Sequence, residues 1–281
     1  MTTGLLLEGG AMRGMYTAGV LDVLMQNKIP IDGIIGVSAG ALFGMNYKSK
    51  QIGRVLRYNR KYAANKDYIG FHSLLTTGNI MNEEFCFHKL VTDLDPVDFE
   101  AYRNAKEDFY AVVTNMNTGK AEYIRLDDLE KEDQLEYLRA SGSMPFLSRP
   151  VSINGQLYLD GGIADSIPID RLLRMNYEKI IVVLTRPRDY RKKKSPAMLP
   201  KLYYRKYPRL VSAINSRYKT YNKQLEQVLE LEAAGRIFVF RPSRYVPIRR
   251  IERNVAKIQE MYDLGKTDAL ERKNALLHYL S

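Results

Sequence analysis

Three short stretches carry residue types that could do chemistry. Gly36-Val37-Ser38-Ala39-Gly40 sets one serine between two glycines. The apolar pair Ile34-Ile35 precedes it and Ala41-Leu42-Phe43 follows, so the serine falls where a buried strand turns into a helix. That is the pattern of a nucleophile elbow, in which small residues allow a sharp turn that lifts the hydroxyl clear. The amide-rich start of the helix then faces the point where negative charge develops in acyl transfer. The plainer alternative is a glycine-rich turn whose serine caps the next helix. Glu8-Gly9-Gly10-Ala11-Met12-Arg13-Gly14 follows the apolar run Leu5-Leu6-Leu7. It offers backbone N–H groups at a second helix start, a place for an oxyanion or a phosphate. Asp160-Gly161-Gly162 follows the short apolar stretch Gln156 to Leu159, and its glycines leave the carboxylate unobstructed.

The elements that must position these residues are readable from periodicity. Leu5 to Leu7 reads as a strand; Tyr16, Val20, Leu21 and Leu24 mark a helix; Ile31 to Val37 reads as the next strand. That βαβ unit implies a parallel sheet with a right-handed crossover. Residues 41–62 continue as helix with a break near Ser49, and Asn65 to Asn82 reads as a polar, irregular excursion at a substrate mouth. Phe109 to Thr114 is a strand, Thr118-Gly119 a turn, and Ala121 to Ile124 its hairpin partner. Glu132 to Ala140 is helical, and Lys179 to Thr185 is a near-continuous apolar run of the kind found in central parallel strands. Further on, Leu210, Ile214, Tyr221, Leu225 and Val228 mark one helix face, and Arg236 to Phe240 a strand. Ile251, Val255, Ile258 and Tyr262 mark a helix expected to stop at Gly265, with Thr267 capping the last one. Three glycine turns, each after a strand, are expected at the carboxyl edge of one sheet, where open α/β folds bind ligands.

The ordered set resembles the bacterial patatin-like phospholipases. That family combines a glycine-rich oxyanion loop ending in Arg-Gly, a Gly-x-Ser-x-Gly elbow and an Asp-Gly-Gly or Asp-Gly-Ala motif. Ala140-Ser141-Gly142-Ser143-Met144-Pro145-Phe146 is similar to the family's small-residue segment ahead of the aspartate. Order and spacing agree from about Gly4 to Pro168. One departure is Ala11, where the family usually has glycine; alanine keeps its N–H but takes φ > 0 less readily. The resemblance and the repeated strand–turn–helix order imply a three-layer α/β/α sandwich with a mostly parallel central sheet, and the apolar spacing beyond Thr185 adds a C-terminal mainly helical extension. The resemblance, read with the shift in composition after Thr185, implies a domain over 1–185 and a basic, mainly helical region over 186–281 packed on it. It also implies serine lipid acyl hydrolysis by a dyad: Ser38 as nucleophile, Asp160 as proton acceptor, and the amides of Gly9, Gly10 and Ala11 as the oxyanion site. Arg13, Gly14, Gly36, Gly40, Gly161 and Gly162 support these motifs. An ordinary aspartate, with a pKa of about 3.9, is a poor base for a serine hydroxyl, so the site must raise that pKa or lean on the oxyanion loop. No metal and no cofactor is expected.

Other readings are weaker. Of the three histidines, His72, His88 and His278, only His278 lies downstream of Asp160, as a Ser-His-Asp esterase would need. It sits on a terminal amphipathic helix, without a catalytic context. A dinucleotide-binding oxidoreductase fails because Ala11 breaks G-x-G-x-x-G and Asp32 precedes its strand. A catalytically silent membrane-binding or scaffold protein would need a missing part, and none is missing. Glu8 is a local partner for Arg13. Cys86, the single cysteine of 281 residues, excludes an intrachain disulfide, reads as buried and suits a reducing compartment. With no Sec signal peptide and no run of eighteen apolar residues, a cytoplasmic location is expected, with peripheral contact at a membrane. The formal net charge is +11, which suits an anionic partner. From Arg186 to Arg209 ten residues are Lys or Arg and one, Asp189, is acidic, with Tyr203, Tyr204 and Tyr207 interleaved. A solvated loop and an anionic membrane surface are its two leading readings. Nucleic acid is not expected, since no binding motif accompanies the run.

Overall fold

Leu5, Leu6 and Leu7 are all fully buried, so the first strand is covered on both faces. The computed structural model describes residues 2–281. The strands are β1 (Thr3–Leu7), β2 (Gly33–Val37), β3 (Asp108–Asn115), β4 (Ala121–Arg125), β5 (Val151–Ile153), β6 (Gln156–Asp160), β7 (Lys179–Val183) and β8 (Phe238–Phe240). The helices are α1 (Met15–Gln26), α2 (Ala39–Lys48), α3 (Arg54–Tyr62), α4 (Phe71–Thr77), α5 (Phe99–Asn104), α6 (Glu132–Gly142), α7 (Ile169–Leu173), α8 (Met198–Tyr203), α9 (Pro208–Ala233), α10 (Val255–Glu271) and α11 (Lys273–Leu280). A wide π-type helix spans Glu84–Leu94. It buries Cys86, whose thiol donates to the Tyr68 carbonyl and is pushed to a higher pKa by that burial.

All eight strands form one sheet. β8, β7, β1, β2 and β3 pair parallel in that order, while β4 and β6 run antiparallel to β3 and β5 antiparallel to β6. The alternation within each strand sorts the core into two layers. Leu5, Leu7, Ile34, Phe109 and Ile181 face α1, α2 and α10, and Leu6, Ile35, Val37, Val112 and Val182 face α7 and α9. The architecture is therefore the expected three-layer sandwich. The C-terminal part is built into it: β8 extends the sheet, α10 completes one helical layer and α9 the other.

Two local expectations are corrected. Asn65 to Asn82 is not irregular throughout, because it contains α4 and an antiparallel bridge between Ile69 and Met81. Gly265 does not end a helix, and Thr267 caps nothing, since both lie inside α10. Gly265 is there because α10 crosses α1 at close range. A Cβ on Gly265 would lie 2.1 Å from the Tyr16 carbonyl oxygen, and one on Gly19 would lie 2.1 Å from that of Tyr262. A contact requirement thus imitated a stop signal.

The crossing makes a prediction. Gly19→Ala and Gly265→Ala should each lower the urea midpoint, by roughly 1–3 kcal/mol in stability or more, because backbone cannot move aside as a side chain can. An unchanged midpoint in both variants would contradict this packing.

Candidate active site

β2 ends at Val37, and Ser38 turns the chain directly into α2. Ser38 adopts φ 55° and ψ −124°, a backbone conformation unusual for a residue with a Cβ. Such strain costs about 1–3 kcal/mol and persists only where the surroundings over-determine it. Here the Ser38 N–H donates to Ser141 Oγ (3.0 Å), and Ser141 Oγ donates to the Val112 carbonyl (2.7 Å). The Ser38 carbonyl accepts from the N–H groups of Ala41 (2.9 Å) and Leu42 (3.0 Å). Gly9 lies against the elbow, and a Cβ on it would come 2.8 Å from Ser38 Cβ.

Asp160 reaches Ser38 through a meeting of strand ends. β2 pairs with β3 up to Val37 opposite Val112. β6 pairs with β3 from Asn115 back to Asp160 opposite Val113. β4 occupies the other edge of β3 over the same residues, so β2 and β6 must share one edge. They run toward each other along it and stop one residue short of collision. β6 therefore runs opposite to the parallel strands. That reversal brings its carboxyl end level with Ser38.

Ser38 Oγ donates to Asp160 Oδ2 at 2.6 Å, and the Gly162 N–H donates to Asp160 Oδ1 at 2.7 Å. Thr114 Oγ1 donates to the Asp160 carbonyl at 2.9 Å, which locks the strand end. The two side chains are nearly closed off, with Ser38 8% and Asp160 5% exposed. Burial pushes the Asp160 carboxyl above its ordinary value; Arg217, the Ser38 hydroxyl and the Gly162 amide oppose the rise without cancelling it.

The glycine loop runs beside the elbow. Among the described residues no acceptor takes the N–H groups of Gly9, Gly10 or Ala11. Ala11 adopts φ 48°, so the chain reaches the left-handed region there despite its Cβ. The Met12 N–H donates to the Arg250 carbonyl (3.2 Å), and the Arg13 N–H closes a turn on the Gly10 carbonyl (3.2 Å). Glu8 does not bond Arg13. Its oxygens accept from the Thr185 N–H (2.7 Å), the Thr185 hydroxyl (3.1 Å) and the Tyr221 hydroxyl (2.8 Å), and it acts on Arg13 through its charge. Gly14 leads into α1, Gly36 and Gly40 bracket the elbow, and Gly161 and Gly162 follow Asp160 in a short 3-10 turn.

Ser38 stands between two cavities of opposite character. An apolar one of about 80 Å³ is lined by Leu42, Phe43, Met45, Phe87, Leu138 and Met144 among others. Tyr68, Ile69 and Met81 from the 65–82 excursion also wall it. The other is an open polar cleft of about 670 Å³, lined by Asp160, Arg13, Arg186, Lys192, Arg217 and Arg250. No sequence motif marks Arg217. It stands three residues after Ile214 and four before Tyr221, on the helix face that is otherwise apolar. An arginine on such a face is the signal that could have found it. Ser141 belongs to the small-residue segment 140–146, and its bonding role needs the fold.

No histidine lines either cavity. His72, His88 and His278 are all exposed. His278 lies on α11, whose neighbour Tyr279 bonds Ile180 and Lys179 at the start of β7, the sheet edge opposite Ser38.

A serine elbow beside a buried carboxylate, on a sheet of this topology, defines a class, and sequence comparison places the chain within it. The model of the patatin-like phospholipase family matches residues 5–173. The chain belongs to the patatin-like phospholipase family. A second model, a domain of unknown function named DUF6363, matches residues 207–281. The chain is 28% identical over 187 residues to the uncharacterized protein YjjU of Escherichia coli K12, covering 65% of this chain and 52% of that one. It is 26% identical over 187 residues to the probable lipid hydrolase 463L of Invertebrate iridescent virus 6, covering 62% and 64%. It is 30% identical over 192 residues to lysophospholipase nte1 of Aspergillus niger, covering 65% of this chain but 12% of that protein. The chain thus spans about half the length of YjjU and a small part of the fungal protein. Among solved structures, VipD from Legionella pneumophila aligns over 96% of this chain and 67% of its own, at 13% identity and a TM-score of 0.44. Among the described residues, no helix is long and apolar enough to cross a membrane.

The raised Asp160 carboxyl predicts a stability cost. At low pH both states hold the proton. As pH climbs past the ordinary 3.8, the unfolded chain releases it before the folded one does, so the fold loses stability until the folded carboxyl has ionised. Asp160→Asn keeps the shape without the charge, so it should unfold at a higher temperature than the parent at pH 7. The gain should shrink as pH falls toward 4. A variant less stable than the parent at pH 7 would contradict the assigned burial cost.

Proposed function

We propose that the protein is a serine lipid acyl hydrolase that cleaves carboxylic esters with Ser38 and Asp160. The observation that carries this is the 2.6 Å bond from Ser38 Oγ to Asp160 Oδ2, set between an apolar and a cationic cavity. Ser38 Oγ attacks the ester carbonyl carbon while its proton passes to Asp160. The oxyanion is received by the amides of Gly9, Gly10 and Ala11, with the start of α2 behind Ser38. Collapse expels the alcohol, which takes the proton back from Asp160. Water, deprotonated by the same carboxylate, then attacks the acyl-enzyme, releases the fatty acid and restores Ser38. The raised Asp160 pKa makes it a better base than a free aspartate, although it must be ionised to act. The acyl chain takes the apolar cavity, whose methionines adapt to different chains. The names of the viral and fungal relatives agree with a lipid ester as substrate.

The segment 186–209 forms one wall and the rim of the polar cleft. On the rim, α8 presents Met198, Leu199, Leu202 and Tyr203 to solvent, with Met198 and Leu202 each 75% exposed. Cations flank them at Lys193, Lys194, Lys201, Arg205 and Lys206. Apolar tips among cations suit peripheral docking on an anionic lipid surface, each cation contributing about 1 kcal/mol.

Two measurements check these readings. With a short-chain ester, Ser38→Ala and Asp160→Asn should each lower kcat by 10²-fold or more. His278→Ala should retain most activity, and kcat/KM should rise with pH as Asp160 ionises. A folded His278→Ala as inactive as Ser38→Ala would return the assignment to a histidine triad. Separately, neutralising Arg191, Lys193 and Lys194 together should reduce sedimentation with anionic vesicles, and added salt should do the same to the parent. Unchanged sedimentation would make the segment a solvated loop.

A further inference from the structure

The polar cleft holds more positive charge than the chemistry of Ser38 requires. Seven cations line it, Arg13, Arg186, Arg191, Lys192, Lys193, Arg217 and Arg250, against two carboxylates, Glu8 and Asp160. Both carboxylates are already engaged, Glu8 by Thr185 and Tyr221, Asp160 by Ser38 and Gly162. Among the described residues none of the seven cations is ion-paired. Arg13 Nε is buried without a partner, and Arg217 has one side-chain bond, a long one of 3.4 Å from Nε to Ser166 Oγ.

Position points these groups at the reacting centre. A Cβ built on Gly162 would lie 2.9 Å from Arg217 Nη2 and 3.0 Å from Asp160 Oδ1, so the guanidinium stands beside the carboxylate. Lys192 is held from two sides: its backbone N–H donates to Asn222 Oδ1 (2.8 Å) and its carbonyl accepts from Asn222 Nδ2 (3.1 Å). Its Nζ lies 4.4 Å from the ring centre of Tyr221. Arg250 is tied to the glycine loop by its carbonyl. Burial and the neighbouring arginines lower the Lys192 pKa to about 7 and that of Arg13 to about 10. An assembly of like charges that outnumbers its two engaged carboxylates is suited to receive an anion.

We propose that Lys192, Arg217 and Arg250 bind the phosphate of an anionic substrate headgroup, and that the enzyme therefore favours acyl esters bearing a phosphate monoester over those whose headgroup ends in a cation. This rests on the hydrolase reading. It also gives the region of residues 207–281 a task, because Arg217, Arg250 and the residues that fix Lys192 (Tyr221 and Asn222) all come from it. A zwitterionic headgroup would bring its own cation into a positive cleft, whereas a phosphate monoester brings up to two negative charges and several acceptor oxygens. Arg13 comes from the glycine loop, so its contribution is shared with the ester site.

The test has a binding arm and a kinetic arm. Calorimetry of the intact protein should show glycerol 3-phosphate binding at least tenfold more tightly than glycerophosphocholine. Lys192→Gln and Arg217→Gln should each weaken it about ten- to a hundredfold, the loss expected for one charge-assisted hydrogen bond. Arg217→Lys, which keeps the charge, should lose less. In the kinetic arm, two monomeric lysolipids with the same acyl chain, one ending in phosphate and one in phosphocholine, should differ in kcat/KM by tenfold or more. That ratio should fall toward one in Lys192→Gln and Arg250→Gln. Equal binding of both glycerol esters, or a parent ratio near one, overturns the proposal. Inorganic phosphate binding that depends on Lys192 while the substrate ratio stays near one would mark a free-anion site and overturn the headgroup assignment. Tight glycerol 3-phosphate binding with no ester hydrolysed would support the anion site and count against the hydrolase reading alone.

Discussion

Everything at the site depends on how two strands share one edge of β3. β2 and β6 run toward each other and leave no room to continue, so both chains must turn where they meet. One turn presents Ser38 and the other Asp160. Ser141 satisfies the Val112 carbonyl at the gap and holds the Ser38 N–H, while Thr114 holds the Asp160 carbonyl. Ladder bonds interrupted by the meeting are thus replaced by two hydroxyls. The short Ser38–Asp160 bond is a consequence of sheet register, and neither side chain needs a flexible loop to find the other.

That placement has an electrostatic cost. A carboxylate nearly closed from water tends to keep its proton, yet a proton acceptor must be ionised to work. Arg217 moderates the conflict. It stands beside Asp160, lowers its pKa and makes no close ion pair with it. Burial and Arg217 pull in opposite directions, and the net result is a carboxyl above its ordinary value. The same arginine belongs to the cationic cleft, so the tuning of the base and the attraction of an anion draw on one side chain. Its place on α9 couples the region beyond residue 206 to the centre of the site.

Much of the fold could be read in advance because it rests on local patterns. Leu5–Leu7, Ile34–Val37 and Ile180–Val183 are apolar runs too short for helices, and the glycine turns punctuate them. The direction of β6 could not be read, since a short strand looks alike in either sense and only long-range pairing decides. Gly265 misled because glycine serves both to end helices and to let them touch. β5 went unseen, as Val151–Ile153 is three residues with one apolar alternation. Of the site, Ser38, Asp160 and the glycine loop were identifiable from residue type, order and family resemblance. Lys192 was hidden in a charge run. Arg217 was detectable only as a charge among Leu210, Ile214, Tyr221 and Leu225, and what it faces depends on how α9 crosses the sheet.

The central claim is that Ser38 is made nucleophilic by Asp160. The most direct measurement is the rate of covalent labelling by an active-site-directed fluorophosphonate, with the adduct located by mass spectrometry. The account predicts a single adduct on Ser38, and labelling slowed by two orders of magnitude or more in Asp160→Asn. An adduct on another residue, or labelling of Ser38 at the parent rate in Asp160→Asn, would contradict it.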